Sequence, residues 1–147
     1  MESRFSGPEE SPGFLLWQVS NLWQKMQRKA LLEFDLTHVQ FVLLAGIGWL
    51  EGKLPDVSQA ILSKHAKTDL MMTSQVLRTL ENKKLILRKK NDNDPRAFSL
   101  SLTPLGKNKL QKALKVVEEV DHHFFSSLSV KSKNFIESLK VLTLGNP

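Results

Sequence analysis

The 147-residue sequence contains no cysteine. A disulfide framework, a thiolate zinc site, a thiol nucleophile and a cysteine redox switch are therefore excluded. Long apolar runs are also lacking: the longest, from Phe41 to Leu50, is ten residues and carries two glycines, which is too short to span a bilayer. The first residues do not combine a basic start with an apolar stretch, so no signal peptide is expected. These absences predict a cytoplasmic protein with no membrane partner.

Signatures of catalysis and metal binding are scarce as well. The sequence has no paired-carboxylate pattern, no phosphate-binding glycine loop and no nucleophile triad, so we do not expect an enzyme. The metal candidates are the four histidines His38, His65, His122 and His123. The last two are adjacent on a predicted helix and point about 100 degrees apart, so they do not naturally share a metal. We expect surface or capping histidines, with no metal and no cofactor.

The composition is that of one ordinary domain. Hydrophobic residues make up 41% and charged residues 24% of the chain, which is close to the usual globular mix. The net charge is +6, and the excess is concentrated between Lys83 and Arg96, where six basic residues meet two acidic ones. Such a segment is either a solvated strand edge blunted by lysines or a surface for an anionic partner. Charge alone does not choose between them.

Helical periodicity and capping signals predict four helices in the first half of the chain. Apolar residues recur at helical spacing from Pro12 to about residue 34, behind the capping Ser11. Thr37 and Gln40 form a capping box for a second helix that ends at Gly52. A short helix is expected over residues 59–65, and a fourth, capped by Thr68 or Asp69, runs to about residue 83. Its expected inward positions are Leu70, Thr73, Val76, Leu77 and Leu80.

The second half begins with a predicted hairpin. Residues 85–90 form one strand, residues 91–95 a turn, and residues 97–102 alternate as a second strand. Thr103 then caps a long helix to about residue 125, and Ser129 is expected to cap a last helix. Two short helices joined by about three residues form a helix-turn-helix, and a hairpin after it makes a winged helix. The predicted fold class is mostly α with a small β-hairpin wing (α+β).

Three sequence pieces resemble the MarR family of bacterial transcription regulators. Asp94-Pro95-Arg96-Ala97 followed by Leu102-Thr103 matches the family's wing signature. Val76-Leu77-Arg78-Thr79-Leu80-Glu81 followed by Leu85-Ile86 matches the end of the recognition helix, and Leu36-Thr37 through Gln40-Phe41 the start of the second helix. The resemblance covers residues 12–142. One departure is Lys84, where the family usually has the glycine that suits a left-handed helix end. Lysine there implies either a strained residue or a differently shaped helix end.

The resemblance implies a division of the chain. Residues 1–11 are a flexible tail, residues 12–36 and 104–147 form a helical dimerisation region, and residues 37–103 are the winged helix-turn-helix DNA-binding domain. The expected partners are double-stranded DNA and a second copy of the chain. The helical stripes outside the winged unit agree with a homodimer, although an intramolecular bundle would use them too.

The predicted DNA-binding residues lie on the wing and the recognition helix. Arg96 is expected to enter the minor groove, with Asp94 orienting it; the alternative is a surface ion pair of little energetic value. On the fourth helix, Gln75 can read adenine and Arg78 guanine or a phosphate. The other expected contacts are bases at Met71, Met72 and Ser74, and phosphates at Arg88, Lys90, Lys64 and Lys67. Because exposed methionines are unusual, we expect at least one of the pair to be buried.

The leading functional hypothesis is a homodimeric, sequence-specific regulator, most simply a repressor on a palindromic operator. By resemblance, a small aromatic ligand could release it from a cleft lined by Trp17, Trp23 and Phe41, although core positions are preferred for these three. The competing hypothesis is a protein-interaction module on a winged-helix scaffold that does not bind DNA specifically.

Overall fold

The structure, a computed structural model, describes residues 2–147. Over that range the chain forms six helices and one antiparallel pair of strands, in the order α1 (Pro12–Leu31), α2 (His38–Glu51), α3 (Gln59–Ala66), α4 (Leu70–Asn82), β1 (Ile86–Lys90), β2 (Phe98–Leu102), α5 (Pro104–Phe125) and α6 (Ser132–Gly145). Short 3-10 turns cover Pro8–Glu10, Leu32–Phe34 and Ser126–Lys131. The predicted class, mostly α with a β-hairpin wing, is confirmed.

Most helices begin where the sequence carries a capping side chain. The Gln40 N–H donates to Thr37 Oγ1 over 3.2 Å, and the Thr37 N–H donates to Gln40 Oε1 over 3.1 Å, which is the predicted capping box. Asp69 rather than Thr68 caps α4, since its Oδ1 accepts from the Met72 N–H at 2.8 Å. Each such cap contributes about 1 kcal/mol to helix stability.

The core lies where α2 meets the helix-turn-helix and the wing. Its fully buried side chains come from α1, α2, α3, α4 and the start of β1, and they include Leu31, Leu43, Leu44, Ile47, Leu62, Leu77, Leu80, Leu85 and Ile86. Of the predicted inward positions on α4, Thr73, Leu77 and Leu80 are buried and Val76 packs against the core. Leu70 is an error in that prediction: it occupies the first turn and is 57% exposed.

The hairpin is anchored to the helical core along one face. In its register Ile86 pairs with Leu102, Arg88 with Leu100, and Lys90 with Phe98. The Leu100 N–H also donates to the Val57 carbonyl at 2.8 Å. The loop before α3 therefore pairs with β2, and the wing cannot shift without disturbing the helix-turn-helix.

Three helices end in a left-handed residue that is not glycine, namely Asp35, Lys67 and Lys84, with φ angles of 51°, 56° and 61°. After α4, the Leu85 N–H donates to the Leu80 carbonyl at 3.0 Å and the Lys84 N–H to the Glu81 carbonyl at 2.9 Å, the hydrogen-bond pattern of a Schellman ending. The sequence allowed either a strained Lys84 or a differently shaped helix end, and the structure has the strained residue.

The start of α6 differs from the prediction. Ser129 lies inside the 3-10 turn with φ 49° and ψ −123°, and α6 begins only at Ser132 with no side-chain cap at Lys131. Ser129 therefore bends the chain instead of capping a helix. No residue of α6 within the described range is buried. Within residues 2–147 no single helix is long and apolar enough to cross a membrane; segments 12–34 and 38–51 meet those criteria only as a pair bent by 75°.

Candidate nucleic-acid interface

The corner between α3 and α4 is fixed by short polar contacts. The Ser63 hydroxyl donates to the Thr68 carbonyl, and the Thr68 and Thr73 hydroxyls lie 2.7 Å apart. Gln59 Nε2 donates to the Leu70 carbonyl at 3.1 Å. These contacts, two of them partly buried, link the two helices and help to set the angle at which the outward face of α4 is presented.

That outward face carries side chains that the fold does not use. Met71, Gln75 and Arg78 are exposed, Met71 by 74%, and their i, i+4, i+7 spacing puts them in one line along the helix. Ser74 and Met72 are half-buried beside them. The expectation that one methionine would be buried is therefore wrong, although Met72 is partly covered.

The wing tip is organised by Asp94. Its Oδ1 accepts from the Arg96 N–H at 3.0 Å, and its carbonyl accepts from the Ala97 N–H at 3.0 Å. Asp94 therefore orients Arg96 through the backbone, and no carboxylate in residues 2–147 pairs with the exposed Arg96 guanidinium. The surface ion pair that was the alternative is absent from this part of the chain.

Arg88 is less exposed than the prediction of a phosphate contact, made from strand alternation, requires. It shares a strand face with Lys90, as expected, but that face is the one that carries the buried Ile86. The Arg88 side chain is only 19% exposed, and its Nε lies 3.9 Å from Glu81 Oε2. Its Nε and one Nη are buried without a hydrogen-bond partner in residues 2–147. Arg88 thus packs the wing against the end of α4, whereas Lys90 is exposed.

The two lysines predicted at the helix-turn-helix corner are both exposed. Lys64 lies in the last turn of α3, and Lys67 is the left-handed residue that ends it. Together with Arg78, Lys89, Lys90 and Arg96, they give the helix-turn-helix and the wing a group of solvent-accessible cations. Such groups can neutralise phosphates on a duplex without discriminating between base sequences.

A cavity of about 870 Å³ opens between α2 and α5. Its walls are mainly apolar and include Phe41, Trp49, Leu110 and Leu114. Of the three predicted ligand residues only Phe41 lines it; Trp17 is 67% exposed on α1, so the preferred core position is wrong for Trp17.

The polar wall of this cavity was not predicted. Glu51 Oε1 lies 3.6 Å from Lys107 Nζ, Glu51 Oε2 accepts from the Leu102 N–H at 3.0 Å, and His65 and Glu118 also line the space. The residues come from α2, α3 and α5, far apart in the chain, so no local spacing could have indicated them.

Trp23, the third predicted ligand residue, belongs to a polar cluster that joins α1 to α5. Trp23 Nε1 and Gln27 Nε2 each donate to Asp121 Oδ1 at 2.7 Å, and the ring of His38 meets Trp23 edge-on at 4.9 Å. Burial lowers the pKa of His38; nearby Asp121 counteracts this and Arg28 adds to it. No group of three His, Asp or Glu side chains in residues 2–147 is arranged to hold a metal ion.

Comparisons with known proteins agree with this architecture. No protein-family model matches the chain. A Bacillus subtilis (strain 168) protein named as the uncharacterized HTH-type transcriptional regulator YdcH is 48% identical over 140 residues, which is 95% of each chain.

Solved structures share the fold at low sequence identity. A MarR-family transcriptional regulator from Rhodococcus sp. RHA1 superposes with a TM-score of 0.84 at 17% identity, over 97% of this chain and 99% of that one. A mutant of MarR from E. coli complexed with operator DNA superposes with a TM-score of 0.79 at 23% identity, over 92% and 93% of the two chains.

Proposed function

Because the chain belongs to the MarR family of HTH-type transcriptional regulators, we propose that it binds double-stranded DNA as a sequence-specific regulator in the cytoplasm and represses transcription by occupying a palindromic operator. The observation that carries the proposal is the outward face of α4. Met71, Gln75 and Arg78 are exposed on one face of α4, and the opposite face of the helix is buried in the core. A helix presented in this way fits the major groove.

The wing supports the same function. Arg96 is exposed at the tip of the wing, where Asp94 accepts a hydrogen bond from its backbone N–H. A guanidinium suits the negative potential of a narrow minor groove. The exposed Arg96 and the neighbouring basic side chains suit a polyanion such as DNA, which argues for the regulator over a module that only binds proteins. The relative's name and the DNA-complexed structural neighbour favour the regulator over that alternative.

A homodimer is part of the proposal, and the terminal helices support it. The first half of α1 exposes Phe14, Leu15, Leu16 and Trp17, and α6 exposes Ile136, Leu139, Val141, Leu142 and Leu144. Apolar surface of this extent marks an interaction site, and a two-fold dimer would present two recognition helices to a palindrome. Leu142→Arg should therefore shift the protein to a monomer in light scattering, and an unchanged mass would contradict the assignment of α6.

Release by a small ligand is the last part of the proposal, with the cavity between α2 and α5 as its site. A space of about 870 Å³ is large enough for a drug-sized molecule. Its apolar walls and its few polar groups suit an amphipathic aromatic compound. Because the cavity is bounded by helices of both the winged unit and the dimerisation region, an occupant could change the angle between them.

In vitro selection from a random duplex pool tests the proposal. The purified protein is held at about 0.15 M salt, where nonspecific phosphate contacts are weakened. Recovery of a palindrome with half-sites about one helical turn apart is the expected result. Retention without sequence enrichment, lost steeply as salt rises, would instead favour the interaction module.

A further inference from the structure

Met71, Gln75 and Arg78 form a stripe along α4, and the order of their functional groups specifies the base pairs that the stripe can contact. From its N-terminal end it offers an apolar thioether, then an amide, then a guanidinium. Met71 and Arg78 lie seven positions apart, which is about 10 Å along the helix axis. This length is comparable to about three base-pair steps of 3.4 Å. The stripe can therefore contact one short run of neighbouring base pairs in the major groove.

Each member of the stripe is free to make its contact. Glu81, the acidic neighbour one turn after Arg78, lies against Arg88 of the wing, and no carboxylate in residues 2–147 pairs with Arg78. The side-chain amide of Gln75 has no hydrogen-bond partner in the same part of the chain; only its backbone carbonyl is used, by Thr79. Met71 is 74% exposed.

The preferred partner of each group follows from the edges of the bases. A glutamine amide pairs bidentately with N6 and N7 of adenine, a guanidinium with O6 and N7 of guanine, and an apolar group contacts the thymine C5-methyl. A different base pair would leave a donor or acceptor of the Gln75 amide or the Arg78 guanidinium unmatched in a desolvated groove, whereas Met71 discriminates only through the presence of the thymine methyl group.

Building on the proposed function, we propose that each half-site of the operator contains, within about four base pairs and in this order, an A·T pair read by Met71 at the thymine methyl, an A·T pair read by Gln75 and a G·C pair read by Arg78. These three side chains set the base preference at the positions that the stripe contacts in the major groove. Lys64, by contrast, contacts phosphate and contributes affinity without sequence preference.

The test uses the full chain and the duplex recovered by selection, with every half-site base pair substituted in turn. Gln75→Ala should abolish the preference, about tenfold or more, at one A·T pair only, and Arg78→Ala should abolish it at the G·C pair only. Any loss caused by the missing charge is recognised because it weakens binding to every duplex alike. Replacing the relevant thymine by deoxyuridine removes only the methyl group, and should weaken binding of the wild type but not of Met71→Ala. The matched control is Lys64→Ala, which should weaken binding to all duplexes alike and lower the salt slope by about one.

The possible results separate the inference from the function on which it rests. A palindrome whose base preferences survive Gln75→Ala and Arg78→Ala unchanged, or decline uniformly at every position, overturns the assignment of the stripe while the regulator stands. Selection that enriches no sequence overturns the proposed function and the inference with it.

Discussion

Replacing Lys84 by glycine should stabilise the protein. Lys84 ends α4 with φ 61°, a left-handed conformation that costs a residue with a Cβ about 1–2 kcal/mol. Glycine removes that cost but gives the unfolded chain more freedom, which offsets about 0.4–1 kcal/mol of the gain. With the middle of each range, about 1.5 and about 0.7 kcal/mol, the expected net gain in the free energy of unfolding is about 0.8 kcal/mol.

The structure predicts that the substitution changes little else. The Lys84 side chain is exposed and makes no hydrogen bond or ion pair with residues 2–147. Its backbone carbonyl, which accepts from Thr103 Oγ1 at 2.7 Å, is retained in glycine. The Schellman hydrogen bonds around it also involve only backbone atoms.

Urea unfolding followed by circular dichroism provides the assay, at one fixed protein concentration because a dimer's stability depends on concentration. For a slope of about 2 kcal/mol/M, the midpoint should rise by about 0.3–0.5 M. Lys84→Ala is the control, since it removes the same charge and side chain but keeps the strained backbone, and it should unfold close to the wild type. A Lys84→Gly protein no more stable than Lys84→Ala would refute the reasoning.

Three further predictions concern the wing and the polar cluster. A Cβ added to Gly106 would overlap the carbonyl group of Leu85 at the root of the wing, so Gly106→Ala should lower the unfolding free energy by about 1–3 kcal/mol in the same assay; an unchanged midpoint would contradict the close packing. The pKa of His38 is lowered in the folded state, so the unfolded chain binds more protons near pH 6 and stability should fall as pH drops below about 6.5. His38→Gln should flatten that dependence, and equal slopes for both proteins would count against it. Arg96→Ala should weaken binding to the selected duplex about tenfold or more with no change in unfolding midpoint; unchanged affinity at matched salt would remove Arg96 from the interface.

The features that the sequence predicted well are those with a local chemical cause. A capping box needs only two side chains three residues apart, and Thr37 and Gln40 form it as expected. The same is true of the cap at Thr103, whose hydroxyl accepts from the Gly106 N–H at 2.9 Å. Where the capping side chain lies within a few residues of the helix start, as in these two helices, a single sequence carries enough information to place that start. At α6 the expected cap, Ser129, was wrong.

The features that it missed depend on contacts between distant segments. Strand alternation places Arg88 and Lys90 on one face, but it cannot show that Glu81 of α4 faces Arg88. Helical periodicity places Leu70 on the inward side, but it does not show that the first turn of α4 extends beyond the core. The cavity's Glu51–Lys107 pair joins residues of α2 and α5, and no spacing along the chain indicates that pair.

The position of Arg88, which the sequence did not predict, affects how the recognition helix and the wing are held together. Arg88 joins β1 to the end of α4 through Glu81, Thr103 ties the start of α5 to the Lys84 carbonyl, and the Val57 carbonyl holds β2. Three contacts thus join the root and the middle of the hairpin to α4, to α5 and to the loop before α3. The proposed ligand would therefore act where this part of the fold meets the long helices outside it. The cavity between α2 and α5 lies at that joint, which is why we propose it as the ligand site.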